Sequence, residues 1–205
     1  MSLIGSVNYE ILCKYLLKTY NNICMYKLII KIYYKYLKIF WSIFVKIHLK
    51  LLGVKIGKNV TFFGFPVINL GKNSEIILMD NVTLCSDSRF TQIGINHPVI
   101  LKTSDNAKLI IGKDTGISGG TIYANKKVKI GNECLIGADV KIFDTNFHSL
   151  KALNRRHNTK QEDISSKEII IEDNCFIGTG AIILKGSLVK KDTVIPAKAI
   201  VREKK

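Results

Sequence analysis

The sequence has few of the residues that mark a disordered, disulfide-rich or secreted protein. Only three of its 205 residues are proline and 47% are apolar, so a disordered chain is excluded and one principal domain with a sizeable core is expected. The five cysteines are odd in number and form no CxxC pair, which argues against a disulfide framework or a metal site such as zinc. No apolar stretch with a small-residue cleavage site begins the chain, so reduced thiols in the cytoplasm are expected.

Acidic residues are almost absent from residues 1–52, where eight lysines stand against the single acid Glu10. The whole chain has a net charge of +15, which suggests an anionic partner: nucleic acid, a membrane surface or a phosphorylated small molecule. The lysines are interleaved with apolar residues rather than arranged as a groove-reading motif, so nucleic acid is not expected.

An aliphatic residue recurs every six positions in the second half of the chain. The series is Ile130, Ile136, Ile142, Ile171, Ile177, Ile183, Val189 and Ile195. Such a period fits neither a helix nor a two-sided strand, but it suits a coil with three flat faces, whose successive turns pair as parallel strands. The sequence therefore predicts a mainly β protein: a parallel β-helix over residues 53–205, preceded by a helical segment over residues 1–52.

The repeat also assigns roles to small residues. Cys134 and Cys175 occupy a small inward position, so we expect them to pack in the core rather than to take part in catalysis. Glycine, asparagine and aspartate follow the inward residue, as in Gly131 and Gly137, and suit sharp corners where a positive φ is needed.

Two stretches interrupt the repeat. Spacing is irregular over residues 69–108, which predicts irregular coils or a bulging loop. It is lost altogether over residues 144–168, a polar segment with two histidines. A long excursion from a regular solenoid is uncommon unless it has a function, so this loop is the first place to look for chemistry.

Residues 27–50 follow a helical period instead. Six lysines fall within an arc of about 140°, and bulky aromatic and aliphatic side chains lie on the opposite side. The longest stretch without a charge, Ile39 to Val45, is far shorter than a membrane span. A basic amphipathic helix of this kind predicts peripheral attachment to an anionic membrane at its cytoplasmic face. Capping of the β-helix and a role in oligomerisation remain open, and capping is compatible with attachment.

The chain resembles the hexapeptide-repeat acyltransferases over about residues 54–201. The resemblance rests on the runs IGNECLIGADVKIF and IEDNCFIGTGAIILKGSLVKKDTVIPAKAIV. Within that family, the runs IGKDTGISGGTIYA, FDTNFHSL and CFIGTGAIILKGS are most similar to sugar O-acetyltransferases of bacterial capsule, exopolysaccharide and O-antigen pathways. The resemblance implies a left-handed coil, a homotrimer with active sites between subunits, acetyl-CoA as the acyl donor and a saccharide acceptor.

The best candidate for a general base is His148, at the start of the excursion, because acetyl transfer to a hydroxyl requires removal of a proton near neutral pH. The resemblance places the catalytic histidine in a similar short motif. Asp144 and Asn146 either orient the imidazole and hold the acceptor or are ordinary turn formers. The Asn146 amide or a backbone N–H is a candidate donor to the tetrahedral oxyanion.

Three further residues are candidates for acceptor binding. His97 is either a structural residue beside proline or a group that reaches the acceptor from a neighbouring coil or subunit. Arg155 and Arg156 either bind an anionic acceptor, such as a diphosphate-linked sugar, or belong to a solvated basic loop.

The resemblance assigns the CoA site to the C-terminal coils. Its small residues would line the pantetheine arm and its lysines would meet the CoA phosphates, although each lysine taken singly is an ordinary surface charge. The residues in question are Gly178, Thr179, Gly180, Ala181, Lys185, Lys190, Lys191 and Lys198.

Three other functions are alternatives to sugar O-acetylation. N-acetylation of a nucleotide-linked amino sugar would use the same base and donor. A β-helical carbonic anhydrase needs three histidines around zinc. The chain has only four histidines, one of them in the helical segment, so this function is not expected. A non-enzymatic β-helix scaffold would need no histidine-bearing loop.

Overall fold

The computed structural model describes residues 9–153, 155–157 and 163–203, without the side chains of residues 9–17 and 19–23. Asn154 and residues 158–162 of the predicted excursion, residues 1–8 of the helical segment and the Cys13 thiol therefore lie outside the description. The chain forms two compact units: the first ends at Ile39 and the second begins at Phe40.

Within the described residues, eighteen short strands form three six-stranded sheets, A, B and C, and every pairing in them is parallel. Sheet A contains β1 (Lys55–Ile56), β4 (Glu75–Leu78), β7 (Lys108–Ile111), β10 (Lys127–Ile130), β13 (Ile169–Ile171) and β16 (Leu188–Val189). Sheet B contains β2 (Thr61–Phe63), β5 (Thr83–Cys85), β8 (Gly116–Ser118), β11 (Leu135–Ile136), β14 (Phe176–Ile177) and β17 (Val194–Ile195). Sheet C contains β3 (Val67–Asn69), β6 (Ile100–Thr103), β9 (Thr121–Ala124), β12 (Lys141–Phe143), β15 (Ile182–Leu184) and β18 (Ile200–Val201). Consecutive strands visit the sheets in turn, so the predicted fold class, a parallel β-helix preceded by a helix, is confirmed.

The six-residue repeat forms the core. Ile130 pairs with Ile171, and Ile142 with Ile183, and all four side chains are fully buried. Cys134 and Cys175 are buried among them, which confirms that they pack in the core. Burial raises the pKa of both cysteine thiols, because the interior disfavours the thiolate.

The irregular stretch at residues 69–108 contains one bulging loop within otherwise regular coils. Strands β4 to β7 keep their places in the three sheets, and Ile76, Leu84 and Leu101 fill the core as the later isoleucines do. Only residues 86–99 leave the coil, carrying a 3₁₀ turn at Ser88–Phe90. The prediction of a bulging loop is confirmed, and the spacing is irregular because this loop interrupts it.

The corners of the coils contain both non-glycine residues with positive φ and glycines, for different reasons. Positive φ angles fall mainly on asparagine and aspartate, which tolerate this conformation better than other side chains. These residues are Asn59, Asn73, Asn81, Asn106, Asp114, Asp139, Asn174 and Asp192. The prediction that Gly131 and Gly137 supply positive φ is wrong. A Cβ on Gly131 would lie 2.5 Å from Asp173 Oδ1 in the next coil, so this glycine permits close approach between coils.

A long helix, α1 (Tyr9–Leu51), precedes the first coil. In its last turns Val45 and Leu49 are 0% exposed and belong to the core of the β-helix. The Ser42 hydroxyl accepts a hydrogen bond from the Phe62 backbone N–H at 3.1 Å and donates to the Phe62 carbonyl at 3.4 Å. The capping alternative is therefore confirmed for this part of α1. Within the described residues, no helix has the length and apolar character to span a membrane.

Candidate functional site

The first and last residues of the excursion after β12 are hydrogen-bonded to each other. Thr145 forms an antiparallel bridge with Ser166, and the Ser166 hydroxyl donates to Thr145 Oγ1 at 2.9 Å. The Asn146 N–H donates to the Ser165 carbonyl at 3.1 Å, and the Lys167 N–H donates to the Asp144 carbonyl at 2.9 Å. We call residues 144–146 and 165–167 the loop base. Its hydrogen bonds join the two ends of the excursion to each other.

Asp144 anchors the loop base to the preceding coil. Its carboxylate is 0% exposed and accepts hydrogen bonds from three successive backbone N–H groups, those of Asn125 (2.6 Å), Lys126 (2.8 Å) and Lys127 (2.8 Å). A buried carboxylate requires such partners, because unpaired burial is costly. The hydrogen bonds of this carboxylate thus hold a corner together, while its role toward the His148 imidazole stays a prediction.

His148 follows a strained turn. Its N–H donates to the Asn146 carbonyl at 2.7 Å, which closes a γ-turn around Phe147 with a φ of 60°. This type of γ-turn is rare, and a bulky residue with positive φ persists only when its surroundings hold it in place. The Phe147 ring packs on Tyr123 (centroids 4.9 Å apart) and Phe143 (5.5 Å). The turn is therefore held by aromatic packing, and it presents the exposed His148 side chain at a defined position.

His148 lines an open cavity of about 530 Å³ together with Ala152, Arg155, Arg156 and His157. The structure thus brings the predicted base together with both predicted acceptor arginines. All are exposed, and the Arg155 guanidinium donates to the Leu150 carbonyl at 3.0 Å. An imidazole beside two guanidinium groups suits a ligand that has both hydroxyl groups and negative charge.

A second cavity, of about 540 Å³, lies beside Thr145 and Asn146 of the loop base. Its lining residues are Phe143, Thr145, Asn146, Leu184, Lys185, Arg202 and Glu203. The Lys185 ammonium donates to Ser165 Oγ at 2.8 Å. Asn146 Nδ2 is buried without a hydrogen-bond partner, which is unusual for a polar atom and leaves a donor unused at the position before the strained turn. The sequence indicated Asn146 and Lys185, but nothing in its spacing indicated Arg202 and Glu203 or the turn at Phe147.

His97 lies at a different corner. Its loop runs from sheet B to sheet C, whereas the excursion at residues 144–168 runs from sheet C to sheet A. Its Nδ1 is 2.8 Å from the Pro98 carbonyl, which can only accept, so Nδ1 is the donor in this hydrogen bond. Within one chain His97 does not line the cavity that contains His148. Its predicted contact with an acceptor from a neighbouring subunit stays a prediction.

The residues predicted to bind CoA are divided among three corners. Gly178, Thr179, Gly180 and Lys198 lie between sheets B and C, the corner that also carries the His97 loop, and the Lys198 N–H donates to the Thr179 carbonyl at 2.9 Å. The Ala181 side chain beside them is fully buried, so it packs in the core and does not line a groove. Lys185 lies between sheets C and A, and Lys190 and Lys191 lie between sheets A and B. In the described part of the chain, no cluster of three or more His, Cys, Asp or Glu side chains is placed to hold a metal ion.

Comparisons with sequence-family models and with solved structures both give matches. The sequence model described as "Hexapeptide repeat of succinyl-transferase" matches residues 127–142 and 168–197. No curated protein sequence matches the chain. Among solved structures, the polysialic acid O-acetyltransferase OatWY is 19% identical, with a TM-score of 0.45 over 73% of this chain and 79% of that one.

Two further solved structures are similar at the same level. The polySia-specific acetyltransferase NeuO is 20% identical, with a TM-score of 0.38 over 74% of this chain and 85% of that one. A mutant of AntD, an N-acyltransferase from Bacillus cereus in complex with dTDP and Coenzyme A, is 16% identical, with a TM-score of 0.37 over 77% and 78%. At these values the three structures do not identify an activity for this chain. The match of the hexapeptide-repeat sequence model to residues 127–142 and 168–197 confirms the predicted resemblance to the hexapeptide-repeat acyltransferases.

Proposed function

We propose that this protein is an acyltransferase that moves the acetyl group of acetyl-CoA to a hydroxyl group of a saccharide in surface polysaccharide biosynthesis. The observation that carries the proposal is the placement of His148: exposed beside two arginines, on a strained turn that the loop base and the aromatic packing hold in place. The hexapeptide repeat supports the coarser part of the proposal, acyl transfer.

In the proposed reaction the His148 imidazole removes the proton of the acceptor hydroxyl as its oxygen attacks the thioester carbonyl carbon. A C–O bond forms and the C–S bond breaks. The proton then passes from the imidazolium to the departing CoA thiolate, so no further reagent is needed. Imidazole suits this exchange because its ordinary pKa lies near neutral pH. The unpaired Asn146 amide is the proposed donor to the oxyanion formed in between.

Arg155 and Arg156 suit an acceptor that has a carboxylate or a phosphate, because a guanidinium binds either with two parallel hydrogen bonds. Asp144 acts through the loop base as a positioning residue, since its described partners are backbone N–H groups. The main chain at Gly178–Gly180, with Lys198, would receive the pantetheine arm.

A homotrimer is part of the proposal. His148 and the Gly178–Gly180 row belong to different corners of one triangular coil. A second copy that places its Gly178–Gly180 corner, with the His97 loop, against the excursion of the first would bring His148, the two arginines, His97 and the Gly178–Gly180 row into one site, while Lys190 and Lys191 stay at the third corner. This arrangement also gives His97 a role in a neighbouring subunit's site.

The proposal is tested by CoA release from acetyl-CoA, screened over free sugars, amino sugars, nucleotide sugars and lipid-linked glycans. With the right acceptor, His148→Ala should lower the rate by about a hundredfold or more, the usual contribution of a general base. His157→Ala, a change to the other histidine of the same cavity, is the matched control and should keep most of the rate. Full activity in His148→Ala would refute the mechanism. Transfer to amino sugars alone would make the enzyme an N-acetyltransferase.

A further inference from the structure

The last turns of α1 have two apolar faces, and the fold uses only one. Val45 and Leu49 point into the core, with no exposed surface. Ile43 and Ile47 are 58% and 57% exposed, and they lie about 160° around the helix axis from that buried pair. Capping of the first coil therefore explains the burial of Val45 and Leu49 but not the apolar character of Ile43 and Ile47 on the opposite side.

We call the second face the outer face. In the second unit its exposed members are Phe40, Ile43, Phe44, Ile47 and Leu51. Residues 24–39, which belong to the first unit, have the same kind of side chains, because their large apolar residues are also mostly exposed: Met25, Tyr26, Leu28, Ile29, Ile32, Tyr33, Tyr36 and Ile39. So many exposed apolar side chains in one segment are typical of an interaction surface rather than of ordinary helix exposure.

Charge decides which partner fits. Residues 11–52 contain no aspartate or glutamate, while Lys46 and Lys50 flank the outer face in the second unit and Lys27, Lys31, Lys35 and Lys38 occur in residues 24–39. Two copies of the segment packed together would bring these ammonium groups close with no acid from residues 11–52 to pair them. A surface of anionic lipid supplies both the negative charge and the apolar layer, and tyrosine, tryptophan and phenylalanine favour its interface.

We propose that the outer face of α1 binds the surface of an anionic membrane, while the opposite side of its last turns caps the β-helix. Ile43 and Ile47 enter the boundary between headgroups and acyl chains, and Lys46 and Lys50, which flank the outer face, contact lipid phosphates. Because Val45 and Leu49 fasten the same turns to the first coil, the site of the β-helix is held beside the membrane. The proposal does not depend on the proposed acyl transfer, since it concerns binding alone.

The test is flotation of the full chain with lipid vesicles. Wild-type protein should float with vesicles of phosphatidylcholine and phosphatidylglycerol (about 70:30), but not with phosphatidylcholine alone, and binding should weaken as NaCl increases. The double variant Ile43→Ser with Ile47→Ser removes apolar area from the outer face without changing charge or the buried cap. It should bind anionic vesicles about tenfold or more weakly, because each isoleucine loses its apolar burial.

The matched control is the double variant Leu188→Ser with Ile200→Ser, which removes similarly exposed apolar side chains (54% and 64%) from strands of the β-helix. It should bind vesicles as wild type does. An unchanged melting temperature of the Ile43/Ile47 variant shows that the cap is intact. Wild-type affinity in that variant would overturn the proposal. So would a wild-type chain that ignores vesicles but loses oligomeric mass when Ile43 and Ile47 are changed, because the outer face would then bind another copy.

Discussion

Replacement of Asp144 by asparagine should weaken the fold far more than replacement of the neighbouring His148. The Asp144 carboxylate is fully buried and accepts three backbone hydrogen bonds. Asparagine keeps one acceptor oxygen but turns an NH₂ group toward backbone N–H donors. At least one buried hydrogen bond to a charged group is lost and one donor is left unpaired. Each of these effects costs about 1–3 kcal/mol, so we expect a loss of about 3 kcal/mol.

A matched control exists in Asp105, which is exposed and accepts one backbone N–H, that of Lys72, at 2.7 Å. Asp105→Asn has the same chemistry in solvent and should cost less than about 1 kcal/mol. His148→Ala should stay within about 0.5 kcal/mol of wild type, because the side chain is exposed.

The assay is urea and thermal unfolding at one fixed protomer concentration, because subunit association changes apparent stability. A loss of about 3 kcal/mol corresponds to a melting temperature roughly 6–12 °C lower for a chain of this size. Equal stability of Asp144→Asn and Asp105→Asn would refute the reasoning. Loss of activity in Asp144→Asn with full stability would show that the carboxylate acts on the reacting groups instead.

Three other predictions concern the coils. Gly131→Ala should destabilise the protein by about 2 kcal/mol or more in urea unfolding, because its Cβ would overlap the next coil, and an unchanged midpoint would contradict this close approach. A neutral maleimide at pH 8 should label the exposed Cys24 in native protein but Cys134 only after unfolding, since Cys134 is buried and its pKa is raised; rapid native labelling of Cys134 would count against the core. Hydrogen bonds from Lys108 and Lys55 lower the pKa of Glu75 to about 2, so its contribution to stability is present above the ordinary value near 4.5 and is lost as pH falls toward 2. In an NMR titration Lys108→Ala should raise the pKa of Glu75, and high salt should do the same; a pKa unaffected by both would show that these pairs do not form.

The sequence was sufficient to predict the coils because their geometry is repeated. Each inward isoleucine, such as Ile130 or Ile142, sits at the same place in a six-residue unit, so one period predicts both strand position and the pairing between coils. The same regularity made the excursion at residues 144–168 visible as a break. The position of His148 in that break could also be predicted from the sequence. So could its proximity to Arg155 and Arg156, because these residues are close to it along the chain.

Features that depend on contacts between distant residues were not predictable in this way. The cavity that joins Asn146 to Arg202 and Glu203 is formed by separate coils, and no repeat encodes which side chains meet at a corner. The positive φ of Phe147 occurs together with its packing against Tyr123, a residue of another coil, which the local sequence does not reveal. Asp144 was ambiguous because aspartate both forms turns and serves in catalysis, and only its burial against three N–H groups reveals the structural role.

The loop base has a consequence for how such a protein can change. Strands β12 and β13 are each paired on both sides within their own sheets, and the bridge between Thr145 and Ser166 closes the excursion before its tip begins. The number and kind of residues beyond that bridge therefore do not alter the pairing of the coils. The part of the excursion that follows His148 can be lengthened, shortened or exchanged as a module while the coils and the turn that carries His148 stay the same. New ligand preferences can thus arise at this position at a small cost in folding, because the closure entropy of a loop grows only slowly with its length.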